Sequence, residues 1–225
     1  MDLSVLRKIP LFAEFSDEQI AEVERLVQVR RVPKHQIIVY EGDPGDSFYA
    51  LLKGSVAISR MTGEGKETIL SILKEGDFFG EMALLDSSQR SASVKTLTDV
   101  EVGIITRSDF HNLLAQNPSI GLALVATLAT RLREANEQIA ASAYQDIRAR
   151  LASLLLKLAA QFGEEVPEGT RITQRLTNQE MASMVGTTRE TVNRTLNKFW
   201  DEQLIDMRTA HIVVKDGEGL RKLIE

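Results

Sequence analysis

Two stretches of the chain hold residues whose types and spacing could do chemistry. The first is Leu176-Thr-Asn-Gln-Glu-Met-Ala-Ser-Met-Val-Gly-Thr-Thr-Arg-Glu-Thr-Val-Asn-Arg-Thr-Leu196. Arg189, Glu190 and Arg194 project from one side of a helix there, and Val192, Leu196 and Phe199 from the other. An arginine fork suits the O6/N7 edge of guanine, and a carboxylate can accept from cytosine N4 in the major groove. The same residues could form a solvated face, since Glu190 and Arg194 are four apart and can pair along the helix. The neighbouring turn favours readout of DNA. Ala182 is small where two crossing helices would touch, and Gly186 can take the positive φ of a tight turn. Val192 then packs back into the angle. Thr177 can cap the first helix, and Thr187 or Thr188 the second. Leu204–Met207 and Ile212–Lys215, around Arg208-Thr-Ala210, read as a small hairpin, the wing of a winged helix.

The second stretch runs from Gly76 to Ser93 and contains Phe79-Gly-Glu-Met-Ala-Leu-Leu85 followed by Arg90-Ser-Ala-Ser93. Backbone N–H groups at the start of a short helix, joined by one arginine and one hydroxyl, make an anion cradle. Glu81 could accept from a sugar hydroxyl. The residues alone leave a second reading open, in which Glu81 and Arg90 pair and stitch a loop to its domain.

The elements that must position these groups change texture along the chain. Leu3 to Val27 reads as helix, with Ser16 and Gln19 as a capping box. Short β-rich runs follow at Gln36–Tyr40, Phe48–Leu52, Ser55–Arg60, Thr68–Leu73 and Glu101–Thr106, with a turn over Glu41–Gly45. Many short strands without intervening helices predict a β-roll or sandwich. A long helix is expected from Ser119 to Ala143. Val125, Leu128, Leu132, Ala135, Ile139 and Ser142 form a narrow heptad-like seam along it, which fits a two-helix dimer contact. A second helix, Asp146 to Phe162, carries Leu151, Leu154, Leu155 and Leu158 on one face, and Gly163–Gly169 then breaks the chain. The expected architecture is α+β: an amino-terminal sensor roll over residues 1–117, a dimerisation helix over 118–143 and a winged helix-turn-helix over 144–225.

Composition excludes several classes of function. The 225 residues contain no cysteine, so disulfide scaffolds, thiolate zinc sites and cysteine-ligated iron–sulfur clusters are ruled out. His35, His111 and His211 are scattered, which makes a metal or haem centre unexpected. The apolar window Ile120 to Ala129 is about half the length of a membrane span, so a cytoplasmic protein is expected. The net charge of −5 lies wholly in residues 1–143, which hold 15 basic and 20 acidic side chains. Residues 171–198 hold five basic against two acidic and could face a polyanion.

Thr177 to Ile205, with its Arg-Glu-Thr-Val-x-Arg run, closely resembles the DNA-binding domain of the cyclic-AMP receptor protein (catabolite activator)/FNR superfamily. Phe79–Leu85 with Arg90–Val94 resembles the phosphate cassette of cyclic-nucleotide-binding domains. The likeness covers almost the whole chain in the same order. It implies that Arg189, Glu190 and Arg194 read a TGTGA-like half-site, with Thr188, Thr191 and Gln179 on phosphates. Asn178 stands where the activator has an arginine. It implies further that Gly80, Glu81, Met82, Arg90, Ser91 and Ala92 hold a cyclic nucleotide, and that Ile58, Leu70 and Ser71 line the base pocket. Ala135 and Asn136 replace the family's Thr-Ser pair on the adenine. Cyclic AMP is thus the leading effector. Cyclic GMP, cyclic di-GMP or no ligand are the alternatives, and a β-roll enzyme is a remote one. The implied partners are a second copy, palindromic double-stranded DNA and RNA polymerase, without a membrane.

Overall fold

A computed structural model describes residues 4–63, 65–86 and 88–224. The chain divides into two compact units, Met1–Arg133 and Glu134–Glu225.

The opening segment is not one helix. Its expected start, Leu3, lies outside the described residues. Ser4–Lys8 and Pro10–Phe12 form short 3-10 turns, and only Asp17–Leu26 is α-helical (α1). Pro10, lacking an N–H, starts the second turn instead of continuing the first. The capping box forms as the sequence predicts: Ser16 Oγ accepts from Gln19 N, and Gln19 Oε1 accepts from Ser16 N at 2.9 Å.

Eight strands follow: β1 Gln28–Val32, β2 Ile37–Val39, β3 Ser47–Lys53, β4 Ser55–Met61, β5 Glu67–Lys74, β6 Phe78–Phe79, β7 Ser93–Thr96 and β8 Val100–Thr106. They make two four-stranded antiparallel sheets, ordered β1-β8-β3-β6 and β2-β7-β4-β5. Strand β3 is buried on both faces, and its period of two divides the core. Phe48, Ala50 and Leu52 join Leu6, Ile9, Phe12 and Phe110, while Tyr49 and Leu51 join Val56, Phe79 and Val94. Phe48 stacks on Phe110 at 4.8 Å and Tyr49 on Phe79 at 4.8 Å, so the two faces are anchored by aromatic pairs. Between β6 and β7 lies the short helix α2, Glu81–Leu85. Helix α3, Arg107–Gln116, and α4, Pro118–Tyr144, follow β8. Ile120 and Leu124 of α4 are buried in the roll core.

In the second unit, α5 (Ile147–Phe162) is capped by Asp146, whose side chain accepts from Ala149 N. The expected break after it is instead a hairpin, β9 Gly163–Val166 and β10 Gly169–Ile172. Helix α6, Asn178–Val185, and α7, Arg189–Asp201, form the helix-turn-helix. Strands β11, Ile205–Asp206, and β12, Val213–Val214, are shorter than the predicted wing and complete a sheet ordered β11-β12-β10-β9. Helix α8, Gly217–Arg221, lies against α5. Leu151, Leu155, Ala182, Val192, Leu196 and Phe199 are the core of this unit. Phe199 is fully buried as expected, and its neighbour Trp200 is 39% exposed. No single helix among the described residues is long and apolar enough to cross a membrane.

Candidate functional site

The cassette begins where β6 ends. Phe78 and Phe79 pair with Ala50 and Tyr49 of β3, and the chain turns at Gly80 with φ +86° to start α2. A Cβ at Gly80 would stand 2.6 Å from Arg90 Nη1 and 3.0 Å from Ser47 O, so a side chain would collide with the arginine. Arg90 itself is 5% exposed. Its Nη1 donates to Gly80 O at 2.9 Å and its Nη2 to Ser47 O at 2.8 Å. The Arg90 guanidinium lies 5.4 Å over the Tyr49 ring and 3.7 Å from the exposed carboxylate of Asp46. Its buried Nε has no hydrogen-bond partner. The backbone of Arg90 bonds Gly42 N and Asp43 O, which fixes the residue to the turn before β3. Ser91 Oγ stands 3.8 Å from Met82 Sδ, and both side chains are exposed on the same side of the cassette. The sequence thus brings Gly80, Glu81, Met82, Arg90 and Ser91 together.

Glu81 does not pair with Arg90. Its carboxylate is 3% exposed and accepts from Arg131 Nη1 of α4 at 2.9 Å. Arg131 Nη2 also donates to Phe78 O at 2.7 Å, and its guanidinium lies 4.7 Å from the Phe78 ring centroid. At the other end of α2, Arg107 Nη2 donates to Ala83 O at 2.9 Å and to Gly45 O, and His111 Nε2 donates to Leu84 O at 3.0 Å. Helix α3 therefore satisfies the last carbonyls of the cassette helix, which would otherwise be orphaned.

Ile58 and Ser71 face each other across the β4–β5 ladder, both half-buried, and Leu70 beside them is 39% exposed. Ala92, just before β7, is half-buried. Ala135 and Asn136 are exposed on α4, in the second unit. Along the same helix Val125, Leu132 and Ile139 are 65%, 63% and 68% exposed, and Leu122, which the seam did not include, is 76% exposed. Leu128 is half-buried and packs against the roll core.

In the second unit each local signal of the helix-turn-helix takes physical form. Thr177 caps α6 in a reciprocal box with Glu180, and Thr188 caps α7 by accepting from Thr191 N. Gly186 has φ +68°, Ala182 is fully buried at the crossing, and Val192 is fully buried behind it. Arg189, Glu190 and Arg194 are exposed on the outer face of α7. Glu190 forms no ion pair with Arg194 among the described residues. Its own backbone N–H, then the Thr188 hydroxyl and the Arg189 charge, hold its carboxyl below the usual carboxylate range. Thr191 Oγ1 lies 3.1 Å from Thr188 Oγ1, and Gln179 is exposed on α6. Asn178 Nδ2 donates to Asn193 Oδ1 at 3.2 Å, a contact that sequence reasoning did not include.

The chain is similar to known proteins. It matches the family model of the cyclic nucleotide-binding domain over residues 29–117 and of the Crp-like helix-turn-helix domain over residues 149–223. It is 32% identical over 218 residues to a CRP-like cAMP-activated global transcriptional regulator of Mycobacterium tuberculosis, covering 97% of each chain. It is 38% identical over 188 residues to the cAMP-activated global transcriptional regulator CRP of Escherichia coli, covering 83% of this chain and 89% of that one. Among solved structures it resembles the c-di-GMP responsive global regulator CLP of Xanthomonas campestris. The TM-score is 0.77 at 26% identity, over 88% of this chain and 99% of that one.

Proposed function

The chain belongs to the cyclic-AMP receptor protein family of transcription regulators, and on that premise we propose the following reading. It is a homodimer whose affinity for a TGTGA-like palindrome is set by cyclic AMP bound in the β-roll. It is a regulator with a helix-turn-helix and a cyclic nucleotide-binding domain, not an enzyme.

One observation carries the effector reading. Arg90 is a buried cation whose Nη atoms hydrogen-bond only backbone carbonyls, whose one nearby carboxylate, Asp46, is exposed and 3.7 Å away, and whose Nε has no hydrogen-bond partner. A buried charge without a full counter-charge is costly, and a cyclic phosphodiester would supply one. Ser91, next in the chain, adds a hydroxyl donor. Glu81 offers a carboxylate to a ribose hydroxyl, with Arg131 offsetting its burial. Met82 and Ala92 would close the cradle, and Ile58, Leu70 and Ser71 would take the base. A group as polar as a cyclic nucleotide fits this donor set.

The exposed stripe of Val125, Leu132 and Ile139, with Leu128 and Ala135 beside it, is proposed as the contact with a second copy. Paired chains would set their recognition helices about 34 Å apart, one DNA turn. A ligand that binds one arrangement of the pair better shifts the population toward it. In this division of labour residues 1–117 sense, 118–143 dimerise and 144–225 read, in the cytoplasm. RNA polymerase is a further proposed partner.

A second reading keeps the fold and changes the effector. The Xanthomonas regulator is described as c-di-GMP responsive, and Ala135 has no side-chain group to bond a purine. Calorimetry with cyclic AMP, cyclic GMP and cyclic di-GMP separates the two. Saturable heat with cyclic AMP alone, lost in Arg90→Ala, is the expected result. Heat only with cyclic di-GMP supports the second reading, and no heat with any of the three overturns both.

A further inference from the structure

The outer face of α7 carries polar side chains beyond the three expected readers, Asn193 among them. At about 100° per residue, Asn193 falls between Arg189 and Glu190 around the helix, to one side of the stripe of buried Val192, Thr195, Leu196 and Phe199. Asn193 is exposed. It does not hang free, because Asn178 Nδ2 donates to its Oδ1 at 3.2 Å. Asn178 is the first residue of α6, directly after the Thr177 cap, so the tether is anchored where the two helices of the motif are already fixed.

An amide side chain has one acceptor oxygen and two N–H donors. An untethered asparagine reads adenine by using both ends at once, accepting from N6–H and donating to N7. With the oxygen of Asn193 turned toward Asn178 and one of its two lone pairs engaged, the amide nitrogen is the end freer to face outward. Donors match guanine O6/N7 or thymine O4, and they leave adenine N6–H and cytosine N4–H without an acceptor. We infer that Asn193 is a fourth base reader, held by Asn178 as a donor, which selects an acceptor edge at one base pair of each half-site. This rests on the reading of α7 as a DNA-recognition helix and adds a specificity that Arg189, Glu190 and Arg194 do not supply.

The test enriches sites from duplexes randomised through both half-sites, using the full chain with and without cyclic AMP. Wild type, Asn193→Ala, Asn193→Asp and Asn178→Ala are compared on the same library. Position 193 is exposed, so melting curves of the same preparations should coincide. Wild type is expected to enrich a two-fold symmetric site with guanine or thymine at one pair. Asn193→Ala should flatten that pair alone, with about tenfold or greater loss of discrimination. Asn193→Asp, which carries acceptors only, should move the preference at that pair to cytosine or adenine. Asn178→Ala should free the oxygen and admit adenine there. An unchanged consensus in both position-193 variants, or an equal loss on all sequences, overturns the inference while the wild-type consensus keeps the DNA-reading premise. If wild type enriches no palindrome, that premise fails and the inference with it.

Discussion

The carboxylate of Glu81 and the guanidinium of Arg131 lie 2.9 Å apart, although fifty residues of chain separate them. The acid is almost fully buried, while one third of the arginine side chain remains exposed. The same guanidinium holds Phe78 O and covers the Phe78 ring, so the start of the cassette and the long helix are joined at one residue.

Removing Arg131 should therefore cost more than a surface ion pair does. Arg131→Ala leaves a buried carboxylate without its cation, a change worth about 3–5 kcal/mol. Glu81→Gln in the same background should restore much of the loss, because the orphaned charge disappears. Denaturant midpoints of the four proteins of this cycle check it. Equal losses in the single and double variants would mean that the charge pair is not the cause.

Gly80 is predicted to tolerate no side chain. Gly80→Ala pays about 1–2 kcal/mol for left-handed backbone and puts a Cβ 2.6 Å from Arg90 Nη1. The arginine must move, so nucleotide binding measured by calorimetry should weaken by more than the stability change explains. A variant that binds as wild type does would refute the packing argument.

Thr188 caps α7 at its first turn. Thr188→Ala should lower stability by about 0.5–2 kcal/mol, and Thr188→Ser by much less. Thermal melting of the two variants separates the cap from loss of the methyl group.

Base readout by Arg189 should be local. Arg189→Ala is expected to cost about 1–3 kcal/mol on the specific duplex and to relax selectivity at one base pair. Filter or anisotropy titrations on specific and random duplexes test this, and equal weakening on both would assign Arg189 to phosphates. Affinity of the wild type should fall steeply with salt as counterions are displaced.

Asp206 contributes to the acid limb of stability in the winged unit. Arg208 Nε bonds its Oδ2 at 2.8 Å, and the Arg208 side chain, then its backbone N–H, hold the carboxyl below its ordinary value of 3.8. A depressed carboxylate contributes stability that is complete above the unfolded value and is lost as pH falls through the folded one. Asp206→Asn should thus melt lower than wild type near neutrality and lose less on acidification below about pH 4. Parallel pH profiles would show that the pair contributes nothing.

Much of the reader was legible because its signals are local. Thr177, Ala182, Gly186 and Thr188 act within a few residues of where they stand, through caps, one positive φ and one close crossing. The cassette was legible as a group for the same reason, with Gly80 and Arg90 ten residues apart. What escaped depends on distant partners. Strand β1 carries Arg30 and Arg31 in a half-exposed pattern and exists through its ladder with β8, about seventy residues away. Strand β6 is two phenylalanines long and is a strand only because β3 bonds it. The β9–β10 hairpin was hidden by its glycines, proline and glutamates, which read as a loop until β12 pairs with β10. Arg131 and Asn193 belong to the same class. Each looked like a solvated side chain until another element, Glu81 in one case and Asn178 in the other, came to meet it.

The most direct measurement is the affinity of the full chain for a TGTGA palindrome as cyclic AMP is added, for wild type and Arg90→Ala in parallel. The account predicts tightening with cyclic AMP in the wild type, and basal affinity with no response in the variant. Tightening of equal size in both proteins, or none in the wild type with any cyclic nucleotide, would contradict it.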